Sequence, residues 1–249
     1  MSTHELVEMS GYCLAAIRAR GLRVHRVERL REFEERMRAL GMPDPHPMLS
    51  ARWNDFPGGQ AAGLVLTRGG QDVGGVAAHY YDLGRQSLGD YWEESYRRLY
   101  GKGDASPVYE PAPLAETTIT GKVVYLGQLF LTKAERDGVV SAALLRYIQA
   151  FCVIEWTPNW LYGFIRAEDV ERGKAAQFGF TYQVPFAQLW RKEPETRFST
   201  EYLVANDRRH VCHMASRLVR DPVAYVPGYA TVVGEQKDIM KSFGGFDGP

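Results

Sequence analysis

A polar loop between two apolar segments carries the strongest chemical signal in this sequence. The loop contains Lys133, Glu135, Arg136, Asp137 and Gly138, and a segment with helical spacing of apolar residues follows it. The first amides of a helix have no intrahelical acceptor, and the helix dipole places positive charge at that end. The loop is therefore a candidate anion or phosphate site at a helix N-terminus.

The segments around this loop are predicted to be a buried strand and a helix. The apolar run over residues 123–131 is rich in β-branched and aromatic residues, which suits a strand covered on both faces. Gly127 interrupts the run and indicates a bulge or a close backbone approach. The apolar residues of the following segment fall on one helical face: Val140, Ala143, Leu144, Tyr147, Ile148 and Phe151.

The remaining elements follow from the same kinds of pattern. Residues 83–118 form a connection long enough to suggest a lid or a binding loop, although an aromatic stripe within it favours a packing face. The other predicted elements are helices over 5–20, 24–40, 168–177 and 208–219, a hairpin over 62–82, and strands over 161–166 and 181–190. Residues 152–160 are predicted to be a turn-rich linker.

The size and charge of the chain limit the classes of function. Its 249 residues suit one elaborated domain over 1–249 with a sizeable core. Lys and Arg total 30, as do Asp and Glu, so the formal net charge is +0. Such balance argues against nucleic acid or an anionic membrane as the main partner.

The cysteines and the apolar patterning indicate a cytoplasmic location. Cys13, Cys152 and Cys212 form no paired motif, which suits free thiols in a reducing compartment. The N-terminal residues lack the features of a signal peptide. No apolar stretch approaches the roughly twenty residues that a membrane span needs.

The strand, loop and helix around Arg136 resemble a known family. The run LFLTKAER, from Leu129 to Arg136, resembles the acyl-coenzyme A signature of the GCN5-related N-acetyltransferase (GNAT) superfamily. In that family the fourth strand enters a loop of the form Arg/Gln-x-x-Gly-x-Gly/Ala. Arg136 stands at the Arg/Gln position, while Val139 and Ser141 fill the two small positions.

Two further motifs extend the resemblance to about residues 24–190. Val73-Gly74 resembles the start of the family's third strand, and Phe178-Gly179-Phe180 resembles the Gly-Phe that follows its fourth helix. The resemblance implies an α/β (α+β) fold, with a mixed central sheet of about six to seven strands flanked by helices. Residues 83–118 are then an insertion before the fourth strand, and 191–249 are a C-terminal extension.

The resemblance also implies a cofactor and a set of residues that bind it. Amides of the loop would hold the pyrophosphate of coenzyme A, with acetyl-CoA or another acyl-CoA as the acyl donor. The matching positions are Leu129, Phe130, Leu131, Arg136, Asp137, Gly138, Val139, Val140 and Ser141.

Candidate catalytic residues follow from the same resemblance. In the family, strands four and five splay apart around the pantetheine, and a backbone N–H of strand four stabilises the oxyanion. An amine acceptor must also lose a proton. The candidates are Tyr125, Gln128, Glu155 and Tyr182, with Tyr162 as a neighbour. The family often has a tyrosine that protonates the leaving thiolate, and its position is Ala175 here.

The predicted function is acyl transfer from acyl-CoA to a small-molecule amine by direct attack on the thioester. Two alternatives stay open: an acyl-carrier protein as donor, which Val139 favours by crowding the pyrophosphate loop, and a module that binds a ligand or partner without transfer. A homodimer is also left open. No metal site is expected, because His210, Cys212 and His213 are not completed by a second cluster of ligands.

Overall fold

The computed structural model describes residues 3–43, 46–100 and 106–234. Its strands are β1 (Arg23–Val27), β2 (Ala61–Arg68), β3 (Gln71–Asp82), β4 (Val108–Pro111), β5 (Lys122–Leu131), β6 (Trp160–Ile165), β7 (Tyr182–Val184), β8 (Gln188–Trp190) and β9 (Tyr202–Asp207). Its helices are α1 (Thr3–Ala19), α2 (Leu30–Ala39), α3 (Leu88–Tyr100), α4 (Pro113–Thr117), α5 (Gly138–Trp156), α6 (Ala167–Glu171), α7 (Lys174–Gln177), α8 (Arg208–Arg220) and α9 (Pro222–Tyr225). The last part of the predicted C-terminal extension lies outside the described residues.

A seven-stranded mixed sheet forms the centre of the fold, in the order β1-β2-β3-β5-β6-β9-β7. The β5–β6 pair is parallel, whereas its other neighbouring pairs are antiparallel. Strands β4 and β8 make a separate antiparallel pair. The mixed α/β sheet flanked by helices confirms the predicted fold class.

Helices cover both faces of this sheet and create two buried cores. On one face α1, α5 and α8 pack against alternate side chains of the strands, such as Val124 and Leu126. On the other face α2, α3 and the 3-10 turn Pro47–Leu49 cover Val123 and Tyr125. The predicted insertion therefore forms part of a core, because Trp92 of α3 is completely buried there.

Helix α5 is the central helix of the first core. Among the described residues it is the helix that is long and apolar enough to cross a membrane by length and composition, and 56% of its apolar window is buried inside the structure. Its contacts with α1, α8 and β3 account for that apolar composition. Such burial is the pattern of a core helix.

The predicted helix over 24–40 is wrong in its first part. Residues 23–27 form β1, which pairs with β2 from Arg23↔Thr67 to Val27↔Gly63. Helical burial begins only in α2, where Phe33 and Met37 are buried. Pairing with β2 satisfies the β1 backbone, which a local pattern of apolar residues does not reveal.

Three other predicted boundaries are corrected by the structure. The predicted strand over 181–190 is split into β7 and β8, which belong to different sheets and flank Phe186 at a positive φ of 52°. Helix α5 runs to Trp156 and includes most of the predicted linker. The predicted helix over 168–177 is broken at Gly173 into α6 and α7. Strand β9 was not predicted, although it lies between β6 and β7.

Candidate active site

The central feature of the site is a fork between the parallel strands β5 and β6. They pair at only three positions, ending at Tyr125↔Tyr162. Beyond that pair these two fully described strands separate, and a cleft of about 780 Å³ opens between them. The edge of β5 past Tyr125 therefore offers backbone groups to a ligand instead of to a neighbouring strand.

A bulge in β5 and the close approach of Gly163 explain why the strands separate at this position. The register between β3 and β5 shifts between Gly75 and Ala77, and Gln128 on β5 has a φ of 54°. A Cβ on Gly163 would lie 2.9 Å from the Leu126 carbonyl oxygen, so β6 is still close to β5 where the fork begins. A bulge bends its strand and ends regular pairing, which is what the cleft requires.

The N-terminus of α5 lies at one end of the cleft and forms the donor end. Gly138 and Ser141 line the cleft, and Ser141 Oγ donates to the Asp137 carbonyl oxygen at 2.9 Å. Asp137 caps the helix, because its carboxylate accepts the Val139 amide at 2.8 Å and pairs with Arg20. One of the first amides of α5 is thus already occupied by a side chain.

Cationic side chains surround this helix N-terminus. Arg136 is exposed and lines the cleft, with its Nε donating to the Leu131 carbonyl oxygen at 3.2 Å. Lys174 also lines the cleft and pairs with Asp169 at 2.6 Å. Arg166 also lines the cleft, with its guanidinium 5.4 Å from the centroid of the Phe198 ring. This end of the cleft can therefore attract an anionic ligand.

Most of the predicted cofactor-binding residues line the cleft, and three do not. Six line the cleft: Leu129, Phe130, Leu131, Arg136, Gly138 and Ser141. Val140 is buried in the core, Val139 points toward Gly228, and Asp137 faces Arg20. The predicted contacts through backbone amides are corrected for Asp137 and Val139, because these amides donate to the Glu135 carbonyl oxygen and to the Asp137 carboxylate.

The opposite end of the cleft holds a buried polar cluster, called the Arg197 cluster here. Its members are Arg197, Glu201, Tyr125, Gln128 and His46, all of which line the cleft. Arg197 Nη1 donates to Glu201 Oε2 at 3.1 Å, and Nη2 donates to the Tyr125 hydroxyl at 3.1 Å. The guanidinium also lies 3.9 Å from the centroid of the Phe164 ring. These contacts fix a charged group in a nearly dry environment.

The environment of the cluster decides which of its groups carry charge. Burial would lower the pKa of Arg197, but the neighbouring Tyr125 and Glu201 raise it above the usual value, so the guanidinium stays charged. Burial raises the pKa of Tyr125 despite the opposing effect of Arg197, so the hydroxyl keeps its proton. Burial is the main cause that holds the pKa of His46 well below its usual value, and the positive charge of Arg197 lowers it further, so the imidazole is neutral at pH 7.

The predicted catalytic residues divide into two that reach the cleft and two that do not. Tyr125 and Gln128 line it. Glu155 lies near the far end of α5, about 25 Å along the helix from Gly138, and pairs with Arg26 at 2.9 Å. Tyr182 packs against Trp160 and His210 away from the cleft. The placement of Glu155 was wrong because α5 continues through the predicted linker, and that of Tyr182 because β9 separates β7 from the fork.

Two other positions named from the sequence lie in the core. Tyr162 is fully buried beneath the fork, where its hydroxyl contacts that of Tyr81. Ala175 is also fully buried, so the side chain at the family's tyrosine position does not reach the cleft. Among the described residues, no group of three or more His, Cys, Asp or Glu side chains could hold a metal ion.

Sequence reasoning missed most of the Arg197 cluster. Arg197 and Glu201 belong to the segment between β8 and β9, and His46 precedes the 3-10 turn Pro47–Leu49. No motif distinguishes these residues from exposed polar loop residues. The i, i+4 spacing of Arg197 and Glu201 is the one local signal, and it is common on solvent-exposed segments as well.

Comparisons with known proteins identify similar solved structures. No family model and no curated protein matches the sequence. An N-acyl amino acid synthase, FeeM, from uncultured soil microbes is 15% identical, with 76% of this chain and 92% of that chain covered and a TM-score of 0.46. NAA60 of Arabidopsis thaliana in complex with acetyl-CoA is 13% identical, with coverage of 76% and 99% and a TM-score of 0.45.

A third similar structure is the CoA-dependent acyl-homoserine lactone synthase BjaI. It is 15% identical, with 80% of this chain and 90% of that chain covered and a TM-score of 0.43. At such identities and TM-scores these similarities assign no activity to the chain. The geometry of its own cleft is what bears on function.

Proposed function

We propose that this protein is a divergent GNAT-like N-acyltransferase that moves an acyl group from acyl-CoA to a small-molecule amine in the cleft between β5 and β6. The observation that carries the proposal is the fork itself. Parallel pairing stops at Tyr125 and Tyr162, and the resulting gap joins a cationic helix N-terminus to the Arg197 cluster. A thioester donor and an amine can therefore approach each other from opposite ends.

The residues at the donor end fit an acyl-CoA. Arg136, Lys174 and the N-terminus of α5 would hold the phosphates, because all three offer donors or positive charge to the same end of the cleft. The unpaired edge of β5 would hold the pantetheine arm by backbone hydrogen bonds. The Asp137 cap removes the Val139 amide from this set, so binding depends more on the side-chain cations.

The Arg197 cluster offers groups for the proton transfers of the reaction. In the transfer a C–N bond forms, the C–S bond breaks, the amine nitrogen loses a proton and the sulfur gains one. The Glu201 carboxylate can accept the proton of the amine, whereas the lowered pKa of His46 makes its imidazole a weak base. Tyr125 keeps its proton and can donate it to the sulfur. Ala175 cannot take this role, because its methyl group has no proton to donate.

A calorimetric titration with acetyl-CoA tests the donor site. We expect binding to the wild type, and roughly tenfold or greater weakening in Arg136→Glu because a charge-assisted contact becomes a repulsion. Arg85→Glu is the matched control, since Arg85 is exposed and lies away from the cleft. Unchanged affinity in Arg136→Glu, or a wild type that binds no CoA thioester, would contradict the proposed site.

An acyl-carrier protein as donor is the second candidate, and the occupied Val139 amide favours it. A carrier-bound donor presents pantetheine without the adenine nucleotide, so the helix N-terminus would matter less. Comparing acetyl-pantetheine with acetyl-CoA in the same titration separates the two donors. Equal affinities favour the carrier protein, whereas much tighter binding of acetyl-CoA favours the free thioester. Binding of either without thiol release in the presence of amines would indicate a binding module.

A further inference from the structure

We propose that the acceptor is a free amino acid with an apolar side chain, held by the Arg197 cluster through both its carboxylate and its amino group. This inference names the acceptor of the proposed transfer and rests on that function, but the site can be tested by binding alone.

The first of these atoms is Nε of Arg197. The side chain is 3% exposed, and its two terminal nitrogens are engaged by Glu201 and Tyr125. Nε is buried and has no hydrogen-bond partner among the described residues. A buried donor without an acceptor is unfavourable, so a ligand oxygen is the natural partner. A carboxylate suits a guanidinium best because the bond is then charge-assisted at both ends.

The second atom is Oε1 of Gln128. Its amide is oriented by Nε2, which donates to the Leu49 carbonyl oxygen at 3.0 Å. Oε1 is buried and also lacks a partner within the described part of the chain. As an acceptor it calls for an N–H group, which an amine supplies.

The Arg197 and Gln128 side chains, which both line the cleft, contact the same short segment, Met48-Leu49. Met48, next to Leu49, lies with its sulfur 3.7 Å from Arg197 Nη2. The Tyr125 hydroxyl, which Arg197 contacts, would lie 3.1 Å from a Cβ on Gly127, the residue before Gln128. One small ligand can therefore supply the oxygen for Arg197 and the N–H for Gln128.

The charges of the cluster favour a zwitterion. Arg197 and Glu201 form a buried pair of opposite charges, and His46 is neutral, so the cluster as a whole carries no net charge. An amino acid adds one charge of each sign, with its carboxylate toward Arg197 and its ammonium toward Gln128 and Glu201. A simple amine would bring positive charge and leave Arg197 Nε unpaired.

The rim of the same cleft favours an apolar side chain. Phe198 and Leu129 both line it, and they remain 39% and 37% exposed. A ligand that covers these two side chains inside the cleft gains hydrophobic contact. Phe198 immediately follows Arg197, so the apolar wall adjoins the proposed carboxylate site.

The test is calorimetric titration of the full-length chain with matched ligands, with and without CoA. L-phenylalanine and L-leucine are compared with phenethylamine and 3-methylbutylamine, which differ from them only by the carboxylate. We expect the amino acids to bind at least about 100-fold more tightly, because a site built around a polar group rejects a ligand that lacks it. Equal or tighter binding of the amines, or no binding of any amino acid, overturns the proposal.

The two proposals fail in different ways. Carboxylate-dependent binding of amino acids without any binding of acetyl-CoA or acetyl-pantetheine supports this site and contradicts the transferase. Thiol release from acetyl-CoA with simple amines, but not with amino acids, supports the transferase and contradicts this site.

A variant then assigns the carboxylate contact to Arg197. Arg197→Lys should reduce the preference for phenylalanine over phenethylamine by about tenfold or more while acetyl-CoA affinity stays unchanged, since a lysine cannot reproduce the guanidinium fork. Arg191→Lys is the control, because Arg191 lies on the same segment outside the cleft. An unchanged preference in a folded Arg197→Lys protein contradicts the assignment. If that variant does not fold, the wild-type comparison decides.

Discussion

Tyr125 connects the predicted and the newly found parts of the site. Sequence reasoning named it because it lies on the strand before the polar loop, and the structure adds its contact with Arg197, a residue 72 positions later. Burial raises the pKa of its hydroxyl, which keeps the proton available at neutral pH. We therefore propose that Tyr125 protonates the leaving sulfur.

The Tyr125→Phe variant tests this role. We expect kcat to fall by about 100-fold with little change in the KM for acetyl-CoA, because general acid catalysis acts on the transition state. Tyr109→Phe is the control, since Tyr109 is exposed on β4. A kcat within twofold of the wild type, about the size of an uninvolved substitution, would exclude Tyr125 as the acid.

The fork between β5 and β6 is the feature of the sheet that opens the cleft. Gly163 allows β6 to approach the Leu126 carbonyl oxygen, and the Gln128 bulge then directs β5 away. Both features are backbone properties. A side chain at Gly163 would meet the Leu126 carbonyl oxygen and disturb the neighbouring Tyr125–Tyr162 pair.

We expect Gly163→Ala to lower the free energy of unfolding by about 1–3 kcal/mol, because the added methyl group would meet backbone that cannot rotate away. Gly11→Ala in α1 is the matched control. A Cβ there meets no atom within 4 Å, and alanine in a helix should stabilise by up to about 1 kcal/mol. Urea denaturation measures both. Equal effects of the two substitutions would show that the approach at Gly163 is not tight.

At the scale of the whole molecule, the insertion closes one face of the sheet. No described residue of 83–118 lines the cleft. Trp92 and Tyr96 of α3 instead pack beside Tyr162 as a buried aromatic layer. The interpretation of the aromatic stripe as a packing face is thereby confirmed, and the lid is not supported by the described part of the insertion.

Burial of this face should make stability depend on pH. Burial lowers the pKa of His79, packed between Phe56 and Tyr81, to about 4 from an ordinary 6.5. The unfolded chain therefore binds a proton at higher pH than the folded chain, so stability is present above pH 6.5 and is lost as the pH falls toward 4. At about 1.4 kcal/mol per pKa unit, the loss amounts to roughly 3 kcal/mol.

The difference between the wild type and His79→Phe isolates this contribution, because other titrating groups, including His46, are common to both proteins. Urea denaturation at pH 7, 5.5 and 4 measures the free energy of unfolding of both proteins. As the pH falls, the free energy of unfolding of the wild type should decrease more than that of His79→Phe. Parallel pH profiles for the two proteins would show that His79 titrates normally in the folded state.

The sequence by itself determined the features that depend on neighbouring residues. The buried strand, the polar loop and helix α5 were predicted because apolar periodicity and chain order are local properties. Tyr125, Gln128 and Arg136, which line the cleft, were named as candidates with them. The resemblance to GNAT motifs then indicated a mixed sheet and a fork. The split of 24–40 into β1 and α2 was missed because strand pairing with β2 lies outside the local pattern.

Only the tertiary structure decided which polar residues meet in the cleft. Arg197 and Glu201 share one loop, His46 belongs to another about 150 residues earlier, and packing against Tyr125 and Phe164 fixes the orientation of the Arg197 guanidinium. The same folding removed Glu155 and Tyr182 from the site. Pairing and burial between distant segments depend on the complete packing of the chain, and no spacing of residues along the sequence encodes them locally.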